Sequence, residues 1–94
     1  MIDKRKFYIN GKWTNPIFKN DFEVINPSNE QSYAVISLGS INDVNLAVEA
    51  AKNAFFSWSQ VDKKEKISLL EKLLEIYTNR WDEITQTMSE EMGA

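Results

Sequence analysis

Ser40–Gln60, which reads SINDVNLAVEAAKNAFFSWSQ, decides the fold of this chain. Its apolar residues recur at steps of three and four, as on one stripe of an α-helix. This stripe comprises Val44, Ala47, Val48, Ala51, Ala54, Phe55 and Trp58. Ser40 is a typical N-cap, and Asp43 suits the positive end of the helix dipole. The stretch predicts a helix over about 41–59 whose small alanines and bulky C-terminal aromatic residues wedge it against another element.

The composition bounds the class of protein. A chain of 94 residues with 43% apolar residues and three tryptophans indicates one small packed domain rather than disorder. The net charge is −3 without a basic run, which argues against nucleic acid as a partner. No apolar segment approaches the length of a membrane span, and the N-terminus lacks a signal-peptide core. We therefore expect no membrane association and a cytoplasmic location.

Three short strands are predicted before the helix. Within KFYINGKWT, residues 6–14, Asn10-Gly11 indicates a two-residue hairpin turn, since both central positions of a type I′ turn need a positive φ. Strand candidates follow at Phe22–Asn26, which Pro27 ends, and at Tyr33–Leu38. Together they predict a small antiparallel β-meander or hairpin over about residues 6–38.

Two more helices are predicted after the first, over about 62–78 and 80–92. Asp62, with Glu65 three residues later, resembles a capping box, and Asn79 is a candidate cap for the last helix. Gly93 suits the left-handed position that ends a helix. The apolar residues alternate steps of three and four like a coiled-coil seam, but a second apolar line favours a helix buried on a broad face. The fold class is therefore a small α+β unit.

No catalytic constellation is visible in these residues. The sequence holds no cysteine and no histidine, which excludes thiolate catalysis, disulfides and Cys/His metal sites within it. Its three glycines form no phosphate-binding pattern. Glu83, Glu90 and Glu91 form an acidic cluster on the last helix, and we interpret it as a solvated helix face rather than a cation site.

Read in series, five motifs resemble one family. FYINGKW, FEVINPSNEQ, NDVNLAVEAAKNAFFSWS, LLEKLLEIYTNRWDEI and SEEMGA occur in the order and at the spacing of the N-terminal segment of NAD(P)-dependent aldehyde dehydrogenases. The resemblance covers about residues 6–94. It implies that residues 1–94 are one incomplete domain, the N-terminal part of a Rossmann-like coenzyme-binding domain.

The resemblance also implies a reaction. Members of the family oxidise an aldehyde to a carboxylic acid: a cysteine attacks the carbonyl, the adduct passes hydride to NAD or NADP, and a glutamate activates the water for hydrolysis. This sequence contains no cysteine and lacks the glycine-bearing coenzyme turn. We expect these residues alone to be inactive, to bind no NAD or NADP, and to contribute no catalytic or cofactor-binding residue.

The simplest account is truncation: the segment is scaffold for the remainder of the dehydrogenase chain, which forms a homodimer or homotetramer in the family. The resemblance also carries over a monovalent cation site for K⁺ or Na⁺. Its ligands here are the backbone oxygens of Val24 and Ile25 and the side chain of Glu91, with further ligands beyond this sequence. The alternative is a stand-alone helical interaction module, non-enzymatic, that presents Phe55, Trp58 and Trp81 to a partner.

Overall fold

The computed structural model describes all residues, Met1–Ala94, and has five strands followed by three helices. The strands are β1 (Ile2–Lys4), β2 (Phe7–Ile9), β3 (Lys12–Thr14), β4 (Asp21–Asn26) and β5 (Gln31–Ser37). The helices are α1 (Ile41–Ser59), α2 (Lys63–Asn79) and α3 (Trp81–Met92). The predicted class, a small β region followed by helices near 41–59, 62–78 and 80–92, is confirmed. None of the helices is long and apolar enough to cross a membrane.

The strands form two separate sheets. β2 and β3 make an antiparallel hairpin of their own, whereas β4 and β5 pair antiparallel in a three-stranded sheet of order β1-β5-β4. β1 was not predicted, and it pairs parallel to β5. The strands therefore do not form one continuous meander. A strand of three exposed residues carries no alternation of apolar and polar side chains, so its pairing is a tertiary effect.

The hairpin turn has the predicted backbone. Asn10 and Gly11 have φ values of 54° and 75°, which are the positive values that a type I′ turn requires. The ring centroids of Tyr8 and Trp13 lie 5.1 Å apart on opposite strands of this hairpin. Residues Asn10–Gly11 thus close a two-stranded unit whose strand β2 contacts α1.

The β4–β5 ladder contains one irregularity. Val24 pairs with Ala34 and Ile25 with Ser32, which leaves Tyr33 as an additional residue on β5. Such a bulge bends the strand and redirects side chains. It lies where β4 approaches the end of α3.

The predicted cap of α1 is confirmed in detail. The Oγ atom of Ser40 accepts a hydrogen bond from the backbone N–H of Asp43 at 3.3 Å, and the Asp43 carboxylate accepts from the backbone N–H of Ser40 at 2.9 Å. This reciprocal pair is a capping box with aspartate as its acidic member. α1 therefore begins at a cap with two reciprocal hydrogen bonds.

Two other capping predictions are wrong. Asp62 precedes α2 but makes no side-chain cap hydrogen bond, so Asp62 and Glu65 form no capping box. Asn79 is the last residue of α2 rather than a cap of α3, and Arg80 stands at the boundary between the two helices. Arg80 instead bonds Glu83 through its guanidinium group. The left-handed end at Gly93 is confirmed, with φ 73°.

The structure buries almost no apolar core. Ala34 is the one buried hydrophobic residue, and the accessible surface is 8024 Å². A compact monomer of this mass exposes about 5,600 Å², which is about 2,400 Å² less. The radius of gyration is 17.0 Å, against about 12.4 Å for a compact domain of this length. The chain is a thin layer, 48 × 34 × 15 Å, rather than a closed domain.

α1 has two apolar sides with different surroundings. The alanine side, Ala47, Ala50, Ala51 and Ala54, lies beside the hairpin residues Tyr8–Gly11 and lines one groove with them. At 100° per residue, Val48 and Phe55 lie about 100–160° around the helix from Ala50 and Ala54, and they are 51% and 68% exposed. The alanines thus admit the hairpin, as their size predicts, while Val48 and Phe55 stay exposed in these 94 residues.

Candidate functional site

The residues carried over from the family resemblance lie at the junction between the three-stranded sheet and α3. A cavity of about 530 Å³ opens there between the sheet and the last two turns of the helix. Its lining residues are Ile2, Lys4, Val24, Tyr33, Ala34, Ile36, Gln86, Thr87, Glu90 and Glu91. The lining combines apolar strand residues with two carboxylates.

Asn26, at the end of β4, joins the strand to the helix. It is only 7% exposed. Its Nδ2 atom donates to Oε2 of Glu90 at 2.9 Å, and its Oδ1 atom accepts from both the backbone N–H and the Oγ of Ser28, at 2.9 and 2.8 Å. One side chain therefore closes the turn after β4 and binds α3 across 64 positions of sequence.

Gly93 packs against the same turn. A Cβ atom at this position would lie 2.8 Å from the backbone nitrogen of Ser28 and 3.2 Å from Cβ of Pro27. The close approach and the φ of 73° both require glycine. The end of α3 and the Asn26–Ser28 turn thus fit together without room for a side chain.

Tyr33 makes the second side-chain bond from the strands to α3. Its hydroxyl donates to Oε1 of Glu91 in a long hydrogen bond of 3.5 Å. Desolvation, followed by the negative charge of Glu91, raises the pKa of Tyr33 above its ordinary value. The bulged residue of β5 therefore lies beside the carboxylate that the sequence singled out.

The predicted cation ligands are brought together in part. Val24 and Glu91 line the same cavity, whereas Ile25 does not line it. β4 is an edge strand of its sheet, so its outward carbonyl groups face no neighbouring strand. Carbonyl and carboxylate oxygens are suitable ligands for a hard cation such as K⁺ or Na⁺. Val24 and Glu91 supply oxygen donors of the kind that such a cation takes, and the K⁺ or Na⁺ site itself stays a prediction.

The acidic cluster does not form a metal centre. No group of three or more His, Cys, Asp or Glu side chains is arranged to hold a metal ion. Glu83 pairs with Arg80 at 2.6 Å, and Glu90 bonds both Asn26 and Gln86. The interpretation as a solvated helix face is right for Glu83, which is exposed, but wrong for Glu90. Glu90 is half-buried, because its hydrogen bond with Asn26 holds it against the sheet.

Arg5 forms an ion-pair cluster that the sequence analysis missed. Its guanidinium group lies 2.9 Å from Asp3 and 3.3 Å from Asp21. The hydrogen bonds from Arg5 lower the pKa of Asp3 to about 2. These two ion pairs join residues that are two and sixteen positions apart, and neither pair produces a periodic pattern of apolar residues in the sequence. The cluster ties the start of the chain to β4.

The aromatic residues of the interaction-module alternative are accessible in these 94 residues. Phe55, Trp58 and Trp81 are 68%, 48% and 56% exposed. The apolar residues of α2 are exposed as well, including both lines that the sequence assigned to a broad buried face: Ile67, Leu69, Leu70, Leu73, Leu74, Ile76 and Tyr77. Exposed apolar side chains on all three helices form the kind of surface at which proteins commonly contact other protein.

Comparison with known proteins decides between the alternatives. The model of the aldehyde dehydrogenase family matches residues 13–94. The chain belongs to the aldehyde dehydrogenase family. The interaction-module alternative is accordingly not favoured.

Individual relatives agree with this family. The chain is 44% identical over 94 residues to a 3-succinoylsemialdehyde-pyridine dehydrogenase of a Pseudomonas species and 40% identical to a putative aldehyde dehydrogenase of Staphylococcus aureus. All of this chain and 20% of each relative are covered. The chain thus spans about one fifth of the length of the curated relatives it matches.

Solved structures confirm the fold. The aldehyde dehydrogenase of Bartonella henselae superposes with a TM-score of 0.98 at 49% identity and covers 100% of this chain and 20% of its own. Aldehyde dehydrogenase C of Pseudomonas syringae, solved in complex with NAD⁺ and octanal, has a TM-score of 0.94 at 37% identity. It covers 96% of this chain and 19% of its own. The open layer is therefore the form that this segment has within aldehyde dehydrogenases.

Proposed function

We propose that these 94 residues are the N-terminal scaffold of an NAD(P)-dependent aldehyde dehydrogenase, which oxidises an aldehyde to a carboxylic acid. The family match over residues 13–94 supports the enzyme class, and the surplus of about 2,400 Å² of accessible surface over a compact monomer supports the scaffold role. In the proposed enzyme, the remainder of the dehydrogenase chain covers this surface. Residues 1–94 are then an incomplete part of the Rossmann-like coenzyme-binding domain.

The reacting groups lie outside this segment. The chain has no cysteine to attack an aldehyde and no histidine. Its carboxylates are engaged in structural contacts at Asp43 and Glu90. What these residues do is position the surrounding domain: the hairpin and the bulky side of α1 present apolar surface on which a neighbouring sheet packs.

The cofactor is NAD or NADP. The related dehydrogenase of Pseudomonas syringae was solved with NAD⁺, which supports NAD chemistry in the family. The segment itself binds neither dinucleotide in this proposal, because it has no glycine-rich turn between a strand and a helix N-terminus. The assembled enzyme is a homodimer or homotetramer located in the cytoplasm, with no nucleic-acid or membrane partner.

We further propose that Val24, Ile25 and Glu91 contribute oxygen ligands to a K⁺ or Na⁺ site in the complete protein. Val24 and Glu91 line one cavity in support of this. A monovalent cation there would neutralise the Glu91 carboxylate beside the edge of β4. Remaining ligands come from the part of the dehydrogenase that these residues do not include.

The test is an activity assay on the polypeptide as its source makes it. The purified protein is mixed with an aldehyde and either NAD⁺ or NADP⁺, and the absorbance of the reduced nicotinamide is followed. We expect reduction that depends on both the aldehyde and the dinucleotide, while the 94 residues alone give none. A folded natural polypeptide that oxidises no aldehyde with either dinucleotide would overturn the proposed activity.

A further inference from the structure

We propose that Asn26 is a positioning residue that holds the C-terminal end of α3, and with it the Glu91 carboxylate, beside Val24 at the proposed cation site. This inference rests on the proposed cation site. It assigns a role to a residue that is not itself one of the predicted ligands. Two features support it: the direction of the Asn26 hydrogen bonds and the small number of side-chain hydrogen bonds that attach α3 to the strands.

Few polar contacts fix α3 on the sheet. Asn26–Glu90 at 2.9 Å and Tyr33–Glu91 at 3.5 Å are the two side-chain hydrogen bonds between this helix and the strands. The first is short and partly buried, and the second is long and exposed. Asn26 therefore supplies the stronger of the two attachments, one residue away from the predicted ligand Glu91.

The contact orients Glu90 at both carboxylate oxygens. Oε2 accepts from Asn26, and Oε1 accepts from Nε2 of Gln86 one turn earlier on α3, at 2.9 Å. The carboxylate is therefore held between the strand and its own helix. Because Glu90 and Glu91 are adjacent, fixing the first restricts where the second lies.

The position demands an amide. Oδ1 of Asn26 is occupied by the two donors of Ser28, so Nδ2 is the group that faces Glu90. An aspartate at this position keeps both acceptor bonds to Ser28 but places one carboxylate against another. Asn26→Asp therefore breaks the contact with α3 and preserves the turn, and Glu90→Gln in the same molecule restores a donor opposite the new carboxylate.

The experiment uses the full-length protein that contains these residues. The thermal midpoint is followed against KCl concentration and, in a second series, against NaCl concentration, for wild type, N26D, E90Q and N26D/E90Q. Tetramethylammonium chloride holds the ionic strength constant in both series. We expect N26D to raise the K⁺ concentration for half-maximal stabilisation about tenfold or more, the change typical of losing a hydrogen bond to a charged group. N26D/E90Q should recover most of this loss.

N29D is the matched control. Asn29 lies in the same turn, and its Oδ1 atom accepts only from the backbone N–H of Gln31 at 3.0 Å, without contact to α3. The same chemical change there should leave the K⁺ response unaltered. If N26D does not accumulate as folded protein, E90A removes the acceptor while leaving the turn intact, and it should weaken the K⁺ response in the same way.

The outcomes separate two failures. A wild type that neither K⁺ nor Na⁺ stabilises overturns the cation site and the positioning role together. K⁺ stabilisation that is equal in wild type, N26D and E90A overturns the positioning role alone, even if the variants have lower midpoints. Failure of N26D/E90Q to recover the K⁺ response also contradicts the proposal, because the defect would then not arise from the Asn26–Glu90 contact.

Discussion

The carboxylate of Asp43 accepts a hydrogen bond from the backbone N–H of Ile17 at 3.0 Å, across 26 positions of sequence. The same side chain accepts from the backbone N–H and Oγ of Ser40, at 2.9 Å each, and is only 5% exposed. Asp43 therefore both caps α1 and anchors the loop that follows the hairpin. This one contact joins the helix that dominates the sequence to the β region before it.

Acid should weaken the Asp43 anchor. Backbone hydrogen bonds from Ser40 and Ile17 lower the pKa of Asp43 below its ordinary value of 3.8. A depressed pKa gives stability that is present above the ordinary pKa and is lost as the pH falls through the folded-state pKa. We expect the thermal midpoint of the full-length protein to fall as the pH drops below the ordinary pKa of 3.8, and the midpoint of Asp43→Asn to fall less steeply.

Asp62→Asn is the control for that titration, because Asp62 makes no side-chain cap bond. Its midpoint should follow the wild-type pH dependence. Parallel wild-type and Asp43→Asn curves over the whole acid range would show that the anchor does not contribute to acid sensitivity.

The N-cap of α1 should be the most sensitive hydroxyl in the chain. Ser40→Ala removes the acceptor for the backbone N–H of Asp43 and a donor to its carboxylate. We expect a loss of about 1 kcal/mol in the free energy of unfolding, measured by denaturant titration. Ser59→Ala, at an exposed hydroxyl near the other end of the helix, should change it by less than about 0.5 kcal/mol. Equal effects would contradict the capping role.

Gly93 and Gly11 form a matched pair of substitutions. Their φ values are similar, 73° and 75°, but a Cβ atom at Gly11 meets nothing within 4 Å, whereas at Gly93 it meets Ser28 at 2.8 Å. Gly11→Ala should cost about 1 kcal/mol from backbone conformation alone. Gly93→Ala should cost more, because the helix end must also move off the turn. Denaturant unfolding of both variants measures the difference, and equal costs would exclude the close approach.

The bulky stripe of α1 should be buried in the full-length enzyme. Phe55 is 68% exposed in these 94 residues. If other parts of the dehydrogenase cover it, Phe55→Ala will cost about 3–5 kcal/mol in the full-length protein. Replacing the exposed Lys52 with alanine should lower the free energy of unfolding by less than about 0.5 kcal/mol. A Phe55→Ala effect as small as that of Lys52→Ala would show that this side of α1 stays in solvent.

The helices and strands that have a clear local sequence pattern were predicted correctly. Seven apolar residues at helical spacing and a Ser–Asp cap place α1 correctly, and Asn10-Gly11 places the hairpin. β1 has no such pattern. Its three residues are exposed, and they form a strand because they pair with β5. Asp62 failed as a capping-box residue because a suitable residue type does not guarantee the side-chain geometry of a cap.

The candidate site was predictable only in outline. The resemblance identified Val24, Ile25 and Glu91, and the structure brings Val24 and Glu91 to one cavity. The partners that orient the acidic pair, Asn26 and Tyr33, were missed because they are far from it in sequence. An asparagine before a proline indicates a turn but not the helix that its amide binds.

The most direct test of the central claim is the intact mass of the polypeptide as its source makes it. In the proposed enzyme, these 94 residues, of 10.9 kDa, are one structural part of a dehydrogenase whose remainder covers the apolar sides of α1 and α2. We therefore expect a mass about five times larger, since the relatives are covered over 20% of their length. A natural polypeptide of 10.9 kDa that is monomeric and unfolds cooperatively would contradict it.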